Sequence, residues 1–162
     1  MTAPWVGSKT PIAPPTSANP RFSNLIYAGV VTGTWSGVIS LVIFALGQLF
    51  GVQFAGARGF DAPVQVIPWF IVLLMPLAAA VIGAALASLL LGRRHSRRVV
   101  FWVGTAIAVA SCASPILQPA TVPWSARILL LAMHIVTWIL VVPQIARIVG
   151  DAEPGASVDR TQ

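Results

Sequence analysis

Acidic side chains and cysteines are what this chain has least of. Four Asp and Glu residues stand against ten Lys and Arg, and no carboxylate falls inside any of the long apolar runs. A proton-coupled exporter of this size is expected to carry an acidic residue within a span, so that class does not fit. A single cysteine, Cys112, allows no internal disulfide and no CxxC pair, which removes disulfide-generating enzymes. Charged residues make up only 9% of the sequence, against about 25% in an average soluble domain. Hydrophobic residues make up 57%, and a water-soluble fold of this length has nowhere to hide that much apolar surface.

What is present is four long apolar stretches. A bilayer core of about 30 Å takes about 20 residues of helix to cross, and the runs at 25–50, 68–91, 99–115 and 126–149 meet that demand. The expected fold class is therefore all-α integral membrane, a four-transmembrane-helix bundle occupying 22–150. Pro68 suits a first helical turn, where its missing N–H is not needed. Arg93 and Arg94 close the second span, and Pro115, Pro119 and Pro123 close the third. The first run is too long, and too far from the start, for the roughly 7–15-residue core of a cleavable signal. Residues 1–21, rich in Pro, Ser, Thr and Ala, read as a disordered tail, as do residues 151–162.

Basic residues set the orientation. Lys9, Arg21, Arg93, Arg94, Arg97, Arg98, Arg147 and Arg160 fall on one side of the four spans, and only Arg58 and Arg127 on the other. Excess Lys and Arg marks the cytoplasmic side, so the expectation is a multi-pass protein of the bacterial cytoplasmic membrane with both ends inside. The net charge of +6 is concentrated in the loop between the second and third spans. It reads as a topological stop touching anionic lipid, not as a nucleic-acid surface. Trp69, Trp102 and Trp124 sit at span ends, where an amphipathic ring prefers the headgroup region.

Lipid gives helices no hydrophobic reason to associate, so close packing must come from small residues. Gly29, Gly33 and Gly37 form a GxxxGxxxG ladder continued by Ser40; Ala79, Gly83 and Ala87 form one stripe on the second span, and Ala80, Ala84 and Ser88 the next. These stripes predict a tight bundle in which the first two helices approach closely, or alternatively a ladder that faces a second copy. Between those helices, Val64-Gln65-Val66 alternates as a strand does, and two short strands in an outward-facing hairpin fit the stretch as well as an irregular loop does. Arg58 and Asp61 are placed to pair across its turn.

The fourth span holds the one pattern that suggests chemistry. At 100° per residue, Arg127, His134, Thr137 and Gln144 share a broad polar face with Val141, expected to line the bundle interior. His134 is a candidate to bind metal, haem or quinone, or to hydrogen-bond Tyr27, Ser111 or a freed carbonyl. His95 lies on the opposite side of the membrane in this topology, so one chain supplies neither a multi-ligand metal site nor a bis-histidine haem. No cofactor and no catalytic residue is expected. Pro76 and Pro143 read as kinks, and Trp35 and Trp138 as packing residues.

The order of these elements resembles a bacterial family of four-helix membrane proteins, domain of unknown function 6069. The resemblance rests on Gly51-Val52-Gln53-Phe54, the basic end of the second span, Phe101-Trp102, Ser111 to Pro115, Met133-His134, and Val142-Pro143-Gln144-Ile145-Ala146-Arg147. It implies the four-span architecture and brings no activity. Three functions remain open: a non-enzymatic accessory or structural protein binding lipid or a membrane partner; an oligomeric small transporter or channel; and a His134-dependent haem or quinone protein. Membrane lipids and a homo-oligomer or larger membrane complex are the expected partners.

Overall fold

In the computed structural model, which describes residues 20–57 and 63–154, the chain forms four helices: α1 Phe22–Leu49, α2 Trp69–Ser88, α3 Ser96–Ile116 and α4 Trp124–Gly150. Each is long and apolar enough to cross a membrane, so the molecule is a four-span membrane protein. At about 1.5 Å per residue, even the 20 residues of α2 reach across the hydrocarbon. The proline-rich segment 1–19, the proposed Arg58–Asp61 pair and the tail from 155 onward lie outside the described residues. Pro115, expected to close the third span, instead sits inside the last turn of α3.

α1 and α2 touch through backbone. A Cβ added at Gly29 would stand 2.9 Å from the Ala80 carbonyl oxygen, one at Gly33 2.8 Å from the Leu77 Cα, and one at Gly37 2.5 Å from the Leu73 carbonyl oxygen. The glycine ladder therefore faces α2 of the same chain, and the stripe it meets is Ala80 and Ala84, both fully buried. Ala79 and Gly83 lie one step round α2 and face away from α1; around a Cβ at Gly83 there is nothing within 4 Å. Ala87 is buried with Leu25, Ile148 and Val149. Two neighbouring stripes of small residues were available, and the one whose methyl groups drop into the glycine groove is the one in contact.

The spatial order is α2, α1, α4, α3, with a lesser contact of α2 on α4. α2 and α3, consecutive in the chain, do not pack along their lengths. The bundle is thus tight at the expected α1–α2 seam and open between α2 and α3. α1 draws α2 to itself, and α3 leans on α4 alone, burying only Ser96 and Pro115. Gly104 of α3 sits under Val142, whose Cγ1 would lie 2.9 Å from a Cβ there. One level away, the Trp138 indole N–H donates to Thr105 Oγ1 at 3.0 Å.

Both ends of the α2–α3 gap are fastened. At one end, residues 89–95 reverse the chain with Gly92 and His95 at positive φ. The Glu153 carboxylate then accepts from the Arg97 N–H at 2.7 Å and from the Ser96 hydroxyl at 3.1 Å, a negative charge at the N-terminus of α3 where the helix dipole favours it. At the other end, β1 (Ala55–Gly56) pairs antiparallel with β2 (Gln65–Val66). Phe54, buried at its foot, stacks on Phe44 with ring centroids 4.6 Å apart. Trp69 and Trp124, the first residues of α2 and α4, are exposed at this hairpin end.

The packing makes a ranked expectation. Gly33→Val and Gly37→Val force a side chain into α2 backbone and should each destabilise by about 1–3 kcal/mol. Gly83→Ala should be neutral or stabilising by up to about 1 kcal/mol, the ordinary helix preference for alanine. Thermal unfolding in detergent checks the order, and equal midpoints for the three variants would refute the assignment of the contact stripe.

Candidate functional site

The gap between α2 and α3 is a cleft of about 730 Å³, floored by α4 and walled by α2 and α3. Met75 and Leu86 on one wall and Val103 and Ile107 on the other line it yet remain exposed. The cleft therefore opens sideways, toward what surrounds the helices. Pro76, Ala79 and Gly83 keep the α2 wall smooth, since none carries a large side chain.

The hairpin is held at one end of the cleft by a clamp from Gln118, just past the end of α3. Gln118 accepts from the Ala57 N–H through Oε1 at 2.8 Å and donates through Nε2 to the Ser114 carbonyl at 3.0 Å. Gly56, Ala57, Gln65 and Ile67 contribute to the lining at this end. Sequence reading did not single out Gln118, because its partner lies 61 residues away and no local pattern announces it.

The polar residues of α4 separate into three settings. Arg127, at the hairpin end, is buried and gives its guanidinium to three carbonyls: Nε to Val122 at 3.1 Å, Nη1 to Ile116 at 3.3 Å and Nη2 to Pro119 at 2.6 Å. It also lies 4.7 Å from the Trp124 ring centroid. Arg127 thus collects the carbonyls left over where α3 ends and the 117–123 loop turns; it does not line the cleft.

His134 and Thr137 do line it, together with Trp138. His134 Nδ1 lies 2.8 Å from the Leu130 carbonyl of its own helix, and a carbonyl only accepts, so Nδ1 carries the proton. This partner is neither Tyr27, which is exposed, nor Ser111, whose hydroxyl donates to Ala108 at 2.7 Å. Thr137 Oγ1 donates to the Met133 carbonyl at 2.9 Å and meets Ser36 Oγ of α1 at 2.8 Å. Gln144, two turns further along the same side, has a buried Oε1 without a partner, as do Nε and Nη2 of Arg147.

One group that sequence reading treated only as the tail of the glycine ladder now stands out. Ser40 is 1% exposed, its hydroxyl has no hydrogen-bond partner, and it borders the cleft from α1. Its place one turn beyond Ser36 was legible; its lack of a partner was not. Among the described residues no three His, Cys, Asp or Glu side chains gather as a metal site would require.

Fold and site together define a four-span integral membrane protein with a side-opening apolar cleft. Over residues 20–151 the chain matches the model of a family of unknown function, DUF6069, and it belongs to that family. No curated protein and no solved structure matches it significantly.

The carbonyl clamp yields a stability expectation. Arg127→Met removes three hydrogen bonds, leaving Pro119 its bond from the Val122 N–H, and should cost about 2–3 kcal/mol. Hydrogen exchange should quicken in residues 117–123 while the α1–α2 seam keeps its protection. Exchange unchanged in that loop would remove the assigned role.

Proposed function

We propose that this protein is a non-enzymatic accessory membrane protein that holds one lipid-like molecule in the cleft between α2 and α3. The observation that carries the reading is the cleft's lateral opening. Its ends are bounded by Leu90 of the 89–95 loop and by the hairpin residues held to Gln118, while the exposed side chains of both walls open to the side. In a bilayer that side faces hydrocarbon, and only an apolar or amphiphilic molecule arrives from there.

Size suits a small occupant. The cleft volume of about 730 Å³ falls in the range of about 300–1,000 Å³ usual for small-molecule sites. The non-enzymatic part rests on how polar hydrogens are used. Those of Ser111, Thr137 and His134 go to carbonyls of their own helices, which leaves no base poised on a nucleophile.

In this reading the arginine end is cytoplasmic, as the excess of basic residues there favours. Arg93, Arg94, Arg97 and Arg98 are exposed around the start of α3, where anionic headgroups would meet them. Such surface contacts contribute about 1 kcal/mol per basic residue near the membrane.

Mass spectrometry of the intact protein released from mild detergent tests the proposal. The wild-type chain should retain a single small amphiphile, and Gly83→Trp, which plugs the cleft from a position with open space around it, should lose it. A wild-type particle without a bound molecule, or equal retention by the variant, would end the proposal.

A further inference from the structure

We infer that the occupant of the cleft is a hydroxyl-bearing ring compound, the chemistry of a phenol or quinol on an apolar body, recognised by Ser40 and His134. The inference rests on the cleft reading above and adds the ligand's class. Its starting point is depth. Ser36 and Thr137 are in hydrogen-bond contact across the α1–α4 seam, and the two helices run antiparallel, so one turn toward the hairpin end brings Ser40 level with Met133 and its neighbour His134. His134 follows the start of the 27-residue α4 by ten residues, which at about 1.5 Å each is roughly 15 Å along a helix about 40 Å long, inside a hydrocarbon core of about 30 Å centred on that helix.

At that depth no bulk water is available, and an unmatched polar atom costs free energy. Ser40 is buried, borders the cleft and has no partner. In the neutral ring the Leu130 carbonyl, 2.8 Å away, holds the His134 proton on Nδ1 and the lone pair falls on Nε2, at the ring edge away from that bond; Nε2 has no hydrogen-bond partner among the described residues. The site therefore offers one hydroxyl and one pure acceptor. A ligand hydroxyl matches both, donating to Nε2 and accepting from Ser40. A ketone or quinone oxygen satisfies Ser40 but opposes its lone pairs to that of Nε2.

The ring is argued from what surrounds the pair. Met75 of α2 and Met133 and Trp138 of α4 line the same cleft, and thioethers and an indole face make favourable contacts with aromatic rings. The Trp138 N–H is already given to Thr105, so the indole offers its face and no donor.

The test uses the full chain in nanodiscs, with 4-octylphenol and its O-methyl ether as probes. The phenol should bind about tenfold more tightly than the ether, the loss expected for one or two buried hydrogen bonds. Ser40→Ala and His134→Phe should each weaken the phenol about three- to tenfold and leave the ether unchanged. With histidine ¹⁵N-labelled, the His134 Nε2 resonance should move with the phenol and stay put with the ether. Equal affinities, or an unmoved resonance, overturn the inference even if His134→Phe fails to fold. Gly83→Trp separates the two levels. If it abolishes binding of both probes while they bind the wild type alike, the cleft reading survives and the hydroxyl recognition falls. If both probes bind the variant as they bind the wild type, the cleft is not their site and both readings fall. Retention of an ordinary phospholipid that neither probe displaces also overturns the inference.

Discussion

The backbone contact between α1 and α2 governs the architecture. In a bilayer, helices gain little by exchanging lipid for each other's leucines, so the seam with the closest approach sets the arrangement of the others. Gly29, Gly33 and Gly37 bring α1 so near to α2 that the space for any Cβ is occupied. α2 is thereby committed to α1, and α4 takes the other side of α1 through Ser36 and Thr137. α3 has α4 as its support. Four helices in a row, with the outer two joined by a short loop, enclose a gap between those two, and the cleft follows from that geometry rather than from any feature of its own walls.

A gap in the hydrocarbon has to be managed at its ends and along its floor. The ends are managed by polar contacts that belong to interfaces: Glu153 on the N-terminus of α3 at one, Gln118 on the hairpin at the other. Arg127, behind the second, keeps the α3–α4 turn from leaving bare carbonyls. The floor is managed by turning hydroxyl and imidazole protons back onto α4. This makes the cleft wall poor in donors while keeping acceptors in it, a bias that no count of polar residues would reveal.

Much of the fold was legible in the sequence because membrane composition is a strong signal. The span count and the ladder's potential for close approach came from local pattern; between α1 and α2 the pattern left a hairpin and an irregular loop equally open, and the pairing of Ala55–Gly56 with Gln65–Val66 decides for the hairpin. What was not legible was pairing. A helical period says which residues share a face, and on α2 two faces of small residues lie about 100° apart, so Ala79-Gly83 and Ala80-Ala84 could not be ranked without α1 in place. Arg127 and His134 share a face by the same arithmetic, yet one serves a loop whose carbonyl directions are set by Pro119 and Pro123 while the other borders the cleft. The shared face was real as a periodicity and did not make a single site. Gln118 and Ser40 were opaque for another reason: each matters through a tertiary relation, one made and one missing.

The missing relations are not equivalent, and depth distinguishes them. Arg147, with buried Nε and Nη2 lacking partners, lies in the last turn of α4, where a long side chain reaches the headgroup region by a change of rotamer. Gln144 sits one turn earlier, so its Oε1 and the Arg147 guanidinium can also satisfy each other by rotation. Ser40 reaches neither a membrane boundary nor another polar side chain. Its side chain is too short to reach either end of α1, and the arrangement seen at Thr32, whose hydroxyl bonds the Ala28 carbonyl at 2.7 Å, is not taken. An unmet polar group near the end of a span can be relieved by lipid or water; the Ser40 hydroxyl, bordering a side-opening cleft, is relieved by turning to its own helix or by what enters that cleft.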